Sequence, residues 1–488
     1  MDAVSLGLEP CALWHYFLAL SAIPRVSGRE EAARAFAAEE GKARGCEVLP
    51  DLAGNLLLRQ PASAGLEGGP PLALQAHLDM VGEAESGSSH DFTRDPIQVF
   101  REGDFLRARG TTLGADDGIG VAAALAVLSD PALRHGPLEV LLTVNEETGL
   151  KGARGLRPGW LLARRLINLD SQAEGVLTVG CAGALDTVAT RKVSCGPLLP
   201  GTAALEIAVT GLRGGHSGID IARGRGNAIR VLAQVLVALR EDGPVDLVAL
   251  RGGTRRNAIP REARAEVLVE AAREPALRQA LSRLERRWAS ALGANEPAFA
   301  LEVDRAALCP PLSPGDAEAT LLFLLAAPHG VEEWSPTLPG LVQTSTNLAR
   351  VETRAGAVEV SFLTRSALEA QKRALAARIA GACRLAGFAA RDGEGYGGWP
   401  PEPESGLAKL VDGLHAELFG APMVKAAVHA GLECGPIGEG HAGMEMISLG
   451  PSMWDCHTPR ERLGIASSAR FYRLLAAAVE RVAASPGG

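Results

Sequence analysis

Residues 72–81 read LALQAHLDMV, and their pattern indicates the fold class of this chain. The segment begins as an apolar run long enough for a buried strand, and the run stops at His77 and Asp79. A core strand gains nothing from burying an imidazole and a carboxylate that lack partners. At the carboxyl end of a parallel strand, however, such side chains face the crevice in which open α/β sheets carry their sites. The pattern therefore predicts an α/β sheet with a polar site at its carboxyl edge.

The length and composition describe an ordinary globular protein with more than one domain. The 488-residue chain exceeds what one hydrophobic core usually supports. Its net charge of −8 comes without a basic run, which argues against nucleic acid as a partner. The opening lacks the basic start of a signal peptide, and the apolar runs are too short to span a bilayer. Eight cysteines without CxxC spacing favour reduced thiols, so we expect a cytoplasmic protein with no membrane partner.

A glycine-bracketed turn over 113–120 (LGADDGIG) precedes a helix predicted over 121–129. Glycines on both sides let the backbone adopt unusual angles and expose Asp116 and Asp117 where the turn meets the helix. A helix N-cap would explain a single Asp. With two adjacent acids, a second role for one of them is an equal alternative to the N-cap.

Two more buried strands end in acidic side chains. The strand predicted over 138–144 leads into Glu146 and Glu147, which point to different sides, so one can bind a metal while the other acts on the substrate. A solvated glutamate pair is the alternative, but the preceding apolar run and the following glycine turn favour a site. A further strand over 166–169 ends in Asp170. This recurrence of site-type residues after strands and turns is the strongest functional signal in the sequence.

A change of pattern at residue 188 indicates an inserted domain. Alternating strands interleave with helical stretches over 188–398, as in an α+β sheet with helices on one face. After a Pro-rich linker the α/β pattern returns, with a buried strand that ends near His457. We therefore predict a catalytic domain in two parts, 1–187 and 399–488, with a central, mostly parallel sheet flanked by helices. The insertion over 188–398 would form an α+β lid and dimerisation domain.

The insertion contains one strong candidate and two weaker ones. His216 lies in the glycine loop GGHSG, without the apolar neighbours that a packed histidine would have, which favours a functional role. Asn257 begins the segment Asn-Ala-Ile-Pro, and Arg365 ends the segment VEVSFLTR. An ordinary turn and an ordinary surface arginine explain these two nearly as well.

The collected candidates comprise two imidazoles and three carboxylates, which suit a pair of divalent ions with one carboxylate bridging. The residues are His77, Asp116, Glu147, Asp170 and His457. Two such ions can hold a hydroxide and polarise a carbonyl together, and a free glutamate beside them can act as the base. We expect Zn²⁺, with Mn²⁺ or Co²⁺ as the alternatives.

The motifs appear in one order over nearly the whole chain. They are QAHLDMV, LGADDGIG, NEETG, NLDS, GGHSG, NAIPRE, SFLTRS, HAGLECG and ISLGP followed by CHTP. The set resembles the M20 family of metallopeptidases, and within it the aminoacyl-histidine (Xaa-His) dipeptidase branch. The resemblance implies hydrolysis of dipeptides with a free N-terminus, of the β-alanyl-histidine type or more broadly. An N-acyl-amino-acid amidohydrolase or a tripeptidase shares the metal motifs, while the intact ligand set argues against a metal-free, peptide-binding pseudoenzyme.

The resemblance also implies roles for single residues. Asp116 would bridge the metals, Asp79 would orient His77, and Glu146 would be the general base. His216 would stabilise the oxyanion, in this family often in the partner subunit's site, so we expect a homodimer. Positions associated with substrate binding are Asn257, Arg365 and Gly431. The family also has a cis peptide bond after the bridging carboxylate, here followed by Asp117 where many members of this branch carry Asn.

Overall fold

The structure is a computed structural model, and it describes residues 6–354 and 356–485. The helices are α1 (Cys11–Ser21), α2 (Glu31–Ala43), α3 (Ala115–Ser129), α4 (Lys151–Arg154), α5 (Ala228–Glu241), α6 (Glu274–Leu292), α7 (Pro314–Ala326), α8 (Glu369–Leu385), α9 (Gly406–Phe419), α10 (Cys434–Gly440) and α11 (Ile465–Ala483). The first strands are β1 (Glu47–Pro50), β2 (Leu56–Gln60), β3 (Leu72–His77), β4 (Val99–Glu102), β5 (Phe105–Ala108), β6 (Leu138–Thr143), β7 (Arg165–Asn168) and β8 (Val176–Cys181).

The remaining strands lie in the middle and at the end of the chain. They are β9 (Gly183–Lys192), β10 (Thr202–Thr210), β11 (Gly215–His216), β12 (Asp246–Gly252), β13 (Ala258–Ile259), β14 (Ala263–Glu270), β15 (Ala300–Arg305), β16 (Gly330–Trp334), β17 (Val342–Arg354), β18 (Ala357–Ser366), β19 (Ala389–Tyr396), β20 (Val424–Val428), β21 (Glu445–Ser448), β22 (Met453–Trp454) and β23 (Arg462–Gly464). Among the residues that the structure describes, no helix is long and apolar enough to cross a membrane.

The chain divides into two compact units. Unit 1 combines Met1–Cys181 with Trp399–Gly488, and unit 2 is Ala182–Gly398. The sequence prediction places the first boundary after residue 187, whereas the structure divides after Cys181. The difference arises because β9, a strand of the unit 2 sheet, already begins at Gly183, before the change of pattern is visible in the sequence.

Unit 1 contains an eight-stranded sheet with a parallel centre. The strand order is β1-β2-β6-β3-β7-β21-β8-β20. Strands β6, β3, β7 and β21 run parallel, while β1 and β2 form an antiparallel hairpin at one edge. The carboxyl ends of the four parallel strands therefore meet at one edge of the sheet, as the sequence of β3 predicts.

The apolar character of the central strands follows from burial on both faces. Every residue of β3 and of β6 is buried. Helix α3 packs against β3, and α1 packs against α3. A separate core cluster joins β3, β6 and β7 to α10. Parallel sheets covered in this way need strands that are mostly apolar, and a polar residue buried in such a strand needs a hydrogen-bond partner.

Unit 2 is built on a nine-stranded sheet whose strands pair antiparallel. Its order is β15-β10-β14-β12-β17-β18-β9-β19, with β16 paired to β17. Alternate residues of β10 (Leu205, Ile207 and Val209) enter one core cluster together with side chains of helices α5 to α8. A two-stranded sheet, β11 with β13, carries His216.

The sequence pattern did not reveal the longest strand of unit 2. Strand β17 reads VQTSTNLARVETR, and its first eight residues are buried although most of them are polar. Thr344 and Thr346 are among them, and their hydroxyls hydrogen-bond to polar groups of the adjacent strand β18. Because these polar side chains are satisfied by neighbouring strands, the apolar alternation used to recognise a strand is missing here.

Candidate metal centre

The candidate ligands stand where strands or tight turns of unit 1 end. His77 is the last residue of β3, Glu147 follows β6, and Asp170 follows β7. Asp116 lies in the first turn of α3, and His457 lies in the loop between β22 and β23. All five side chains thus come from segments that reach the carboxyl edge of the parallel strands or its immediate surroundings.

The ligand atoms converge in two groups that share Asp116. In the first group, His77 Nε2 lies 3.2 Å from Asp116 Oδ1 and 3.8 Å from Asp170 Oδ1. In the second, His457 Nε2 lies 3.2 Å from Asp116 Oδ2 and 2.9 Å from Glu147 Oε1. Within each group the ligand atoms lie within 4.8 Å of one another. The two oxygens of Asp116 therefore face different imidazoles, and the donor set fits two divalent ions bridged by one carboxylate.

The turn that carries Asp116 has an irregular backbone. Gly114, the residue before α3, has φ 68°, and Asp116 and Asp117 depart from helical angles although the helix formally starts at Ala115. The peptide bond between Asp116 and Asp117 is cis, as the family resemblance implies. The Asp117 carboxylate accepts hydrogen bonds from the backbone N–H groups of His77 and Gly120, both at 3.2 Å. Asp117 thereby connects the turn to the end of β3.

Asp79 connects one imidazole to both glutamates. Its Oδ1 accepts a hydrogen bond from the Glu146 backbone N–H (3.0 Å) and lies 3.5 Å from His77 Nδ1. Its Oδ2 accepts hydrogen bonds from the Glu147 backbone N–H (3.2 Å) and the Ser27 hydroxyl (2.7 Å). Burial raises the pKa of Asp79, but these hydrogen bonds and the imidazole outweigh it and lower the pKa to about 2. Asp79 is therefore an ionised carboxylate beside the His77 ring, whose Nδ1 also lies 3.1 Å from the Asp79 backbone carbonyl.

Without a cation, the site concentrates negative charge in a buried place. Hydrogen bonds with Asp116 and Glu147 raise the pKa of His457 to about 10. Burial lowers the pKa of His77, yet hydrogen bonds with Asp116 and Asp79 more than compensate and raise it. Burial, followed by the charges of neighbouring carboxylates, raises the pKa of Glu146 and of Asp170. The carboxylates thus raise the pKa of the imidazoles, whereas burial and repulsion between neighbouring carboxylates raise the pKa of Glu146 and Asp170. Bound cations would relieve this crowding of negative charge.

A buried polar network beneath the ligands was not predicted from the sequence. Glu433 is fully buried, and its Oε2 accepts hydrogen bonds from Gln75 Nε2 (2.5 Å) and the Thr143 hydroxyl (2.6 Å). Gln75 Oε1 in turn accepts a hydrogen bond from Asn168 Nδ2 at 2.6 Å. The network joins β3, β6 and β7 just before the ligands. Gln75, Thr143 and Asn168 are polar residues inside apolar runs, and these interruptions were the signal in the sequence that could have revealed the network.

Unit 2 brings two of its candidates together. His216 Nε2 lies 3.5 Å from Arg365 Nη2, and His216 Nδ1 accepts hydrogen bonds from two backbone N–H groups of its own loop. Burial and the charge of Arg365 lower the pKa of His216 to about 4, so the imidazole is neutral. Arg365 is 4% exposed, which corrects the alternative of an ordinary surface arginine.

The other two substrate candidates lie in loops. Asn257 is exposed, and its backbone carbonyl accepts a hydrogen bond from the Ser217 N–H, which connects it to the loop of His216. Gly431, in unit 1, lies between β20 and α10 and directly precedes the segment that contains Glu433. The hydrogen bond to Ser217 thus holds Asn257 close to the neighbouring residue His216. The roles of Asn257 and Gly431 in substrate binding stay predictions.

The parallel sheet of unit 1 carries imidazole and carboxylate groups at its carboxyl edge, an arrangement typical of metal-dependent hydrolases. Comparison with known proteins leads to the same class. Residues 73–481 match the model of peptidase family M20/M25/M40. The chain is 38% identical to the cytosol non-specific dipeptidase of Escherichia coli (strain K12) over 478 residues, which cover 98% of this chain and 99% of the relative. It therefore belongs to peptidase family M20/M25/M40.

Solved structures give the same result for the fold. The aminoacylhistidine dipeptidase from Vibrio alginolyticus matches with a TM-score of 0.88 and 35% identity, over 97% of each chain. The aminopeptidase PepT from Bacillus cereus matches with a TM-score of 0.57 and 17% identity, over 98% of this chain and 99% of the other, which shows a shared fold. The predicted family, fold class and enzyme class, a hydrolase of a peptidase family, are confirmed.

Metal binding to this centre should release protons near neutral pH. The raised pKa values of His77 and His457 mean that the metal-free imidazoles carry protons that a metal must displace. Because deprotonation becomes easier as the pH rises towards the His457 pKa of about 10, the apparent affinity for Zn²⁺ should rise with pH. Isothermal titration calorimetry of chelator-treated protein in buffers of different ionisation enthalpy measures both effects. A binding reaction without proton release at pH 7 would contradict the assignment of these two imidazoles.

Proposed function

We propose that this protein is a dinuclear-metal dipeptidase that cleaves dipeptides with a free N-terminus. The observation that carries the proposal is the shared carboxylate, since Asp116 faces both His77 and His457 through different oxygens. Two relatives that match over nearly their whole length at 38% and 35% identity are named as dipeptidases, one a non-specific dipeptidase and one an aminoacylhistidine dipeptidase. These names support a substrate class that includes Xaa-His peptides, β-alanyl-histidine among them, together with a broader range of dipeptides.

The five ligand side chains would hold two ions, with Zn²⁺ as the proposed metal and Mn²⁺ or Co²⁺ as alternatives. His77 and Asp170 would complete one coordination group with Asp116, and Glu147 and His457 would complete the other. When bound, such a pair supplies Lewis acidity, which polarises the scissile carbonyl and lowers the pKa of water. The mixed nitrogen and oxygen ligands, without a thiolate, are compatible with each of these three metals.

Glu146 would accept and return the proton. Its carboxylate belongs to a group of possible ligand atoms that also includes His77 and Glu147, so it stands beside the metal centre. Burial raises its pKa, which brings a carboxyl group closer to the pH at which proton transfer is efficient. Asp79 accepts a hydrogen bond from the Glu146 backbone and thus keeps this glutamate in register with His77. We therefore propose Glu146 as the general base and, after bond cleavage, as the proton donor to the leaving amine.

His216 and Arg365 would act on the substrate. A neutral imidazole can donate a hydrogen bond to a developing oxyanion, and the lowered pKa of His216 keeps it neutral. A guanidinium recognises a carboxylate, such as the C-terminus of a dipeptide, and Arg365 Nη1 is buried without a hydrogen-bond partner among the described residues. Asn257 and Gly431 are further proposed substrate contacts. We also propose that the protein is a cytoplasmic homodimer.

A substrate panel tests the proposed reaction. With added Zn²⁺, Mn²⁺ or Co²⁺, the protein should hydrolyse unblocked dipeptides, including β-alanyl-histidine, and leave N-acetylated amino acids and tripeptides largely intact. The reason is that a site built for a dipeptide binds both charged termini at a fixed separation. Chromatographic detection of released amino acids measures the rates, and chelator-treated protein is the control. Faster cleavage of N-acetylated amino acids would instead identify an amidohydrolase.

Substitutions of the two adjacent glutamates should have different effects, one on turnover and the other on metal binding. Glu146→Gln should retain both ions and lose roughly 10²–10⁴-fold in kcat, because an amide cannot accept the proton. Glu147→Gln should lose one ion, because a ligand is replaced. Metal analysis by atomic emission and steady-state kinetics on the same preparations give the comparison, with each variant as the matched control of the other. Full metal content in Glu147→Gln together with metal loss in Glu146→Gln would reverse the two assignments.

Replacing His216 should affect turnover alone. His216→Ala should lower kcat by roughly 10²–10³-fold, the range for removing one oxyanion donor, with metal content and folding unchanged. If the partner subunit supplies this residue, mixed dimers of His216→Ala and Glu146→Gln should recover part of the activity, since one site in the mixed dimer has both groups intact. Kinetics before and after subunit exchange measure the recovery. An unchanged kcat in His216→Ala would remove this residue from the mechanism.

A further inference from the structure

A buried glutamate outside the ligand set binds the backbone of the Asp116 turn. Glu461 is 2% exposed. Its Oε2 accepts hydrogen bonds from the N–H groups of Leu113 (2.7 Å) and Gly114 (3.0 Å). Its Oε1 accepts hydrogen bonds from Ala115 (2.8 Å) and, more weakly, Asp116 (3.4 Å). One carboxylate therefore satisfies four consecutive N–H groups at the start of α3, which would otherwise be buried without partners.

A buried arginine binds the carbonyl side of the same turn. Arg25 is 2% exposed, and its Nη2 donates a hydrogen bond to the Gly114 carbonyl. Its Nη1 donates to the carbonyls of Leu78 (2.9 Å) and Asp79 (3.1 Å), directly after β3. A Cβ at Gly114 would lie 2.8 Å from Arg25 Nη2, so a glycine is required for this approach. The turn is thus held from both sides by opposite charges, towards β3 by Arg25 and towards the C-terminal segment by Glu461.

Glu461 belongs to the same short loop as His457. The loop is closed by internal hydrogen bonds, from the Glu461 N–H to the Thr458 carbonyl (3.0 Å) and from the Thr458 hydroxyl to the Asp455 carbonyl (2.8 Å). His457 itself has a left-handed backbone, with φ 63°. A change in the position of Glu461 relative to α3 would therefore move His457 relative to Asp116, whose Oδ2 lies 3.2 Å from His457 Nε2.

We propose that Glu461 is a positioning residue that joins the His457 loop to the Asp116 turn and thereby sets the affinity for one ion, the ion held by Asp116, Glu147 and His457. The inference rests on the proposed dinuclear centre. His77 and Asp170 stand on β3 and β7, which the sheet fixes independently of the C-terminal loop. The ion held by His77, Asp116 and Asp170 should depend much less on Glu461.

Stepwise metal titration of Glu461→Gln tests the inference. The amide keeps the size of the side chain, but its NH₂ group cannot accept hydrogen bonds from the turn. Glu139→Gln is the matched control, because Glu139 is 3% exposed and also accepts two backbone N–H bonds, from Leu162 (2.8 Å) and Ala163 (2.9 Å), at the opposite end of β6. Calorimetric titration with Zn²⁺ gives the two affinities, and the absorption spectrum of Co²⁺-loaded protein reports the ligand geometry. The binding step that disappears in His457→Ala identifies the ion in question.

We expect Glu461→Gln to weaken the binding of that ion by about 10–100-fold, the usual effect of losing a residue that hydrogen-bonds around a metal ligand. The affinity for the other ion should stay within a few-fold of the wild-type value. Glu139→Gln should lower the melting temperature and retain both affinities. Unchanged affinities in Glu461→Gln, or equal weakening of both ions, would overturn the inference. If this variant does not fold, Glu461→Asp, which keeps the charge but is one methylene shorter, is judged by the same criterion. A wild-type protein that binds no ion would refute the proposed centre itself.

Discussion

The position of one carboxylate between two imidazoles constrains the rest of unit 1. Asp116 presents one oxygen to His77 and the other to His457, and both rings come from distant parts of the chain. Such an arrangement requires that a strand end, a helix start and a C-terminal loop meet within hydrogen-bonding distance. A parallel sheet provides the meeting point, because its strands deliver their carboxyl ends to the same edge. The irregular first turn of α3 then turns the Asp116 side chain towards both rings.

The groups around the ligands solve a second problem, which is the cost of burying charge. Asp79, Glu433 and Glu461 are all almost completely buried, and each accepts several hydrogen bonds. A buried carboxylate without such donors would be strongly unfavourable. Many of the donors are backbone N–H groups that need an acceptor in any case. Backbone N–H groups at strand and helix ends, which would otherwise lack acceptors, therefore hydrogen-bond to the charged side chains of the site. These bonds give each side chain a defined position.

The sequence predicted the parts of the site that interrupt an apolar pattern. His77 ends a buried strand, and Glu147 and Asp170 follow buried strands, so the change from apolar to polar residues marks all three. The domain boundary and strand β17 were harder to predict. Strand β9 begins before the sequence pattern changes, and the buried side chains of β17 are mostly polar and hydrogen-bonded to neighbouring strands. Arg25 and Glu461 were missed for a different reason. Their partners are backbone groups far away in sequence. Every residue type except proline has the same backbone N–H and carbonyl groups, so the identity of the partner residue gives no sign of the hydrogen bond.

Because unit 1 is formed by two separate segments of the chain, its sheet can be completed only late in the order of synthesis. Strand β21 lies between β7 and β8 inside the unit 1 sheet, yet it follows the whole of unit 2 in the sequence. A chain still growing on the ribosome has a gap in this sheet and lacks His457 until the segment that follows unit 2 has been synthesised. Unfinished or prematurely terminated chains that end before this segment would therefore carry four of the five ligands but not the complete centre. Synthesis of the segment after unit 2 would thus be required before the proposed metal centre can form.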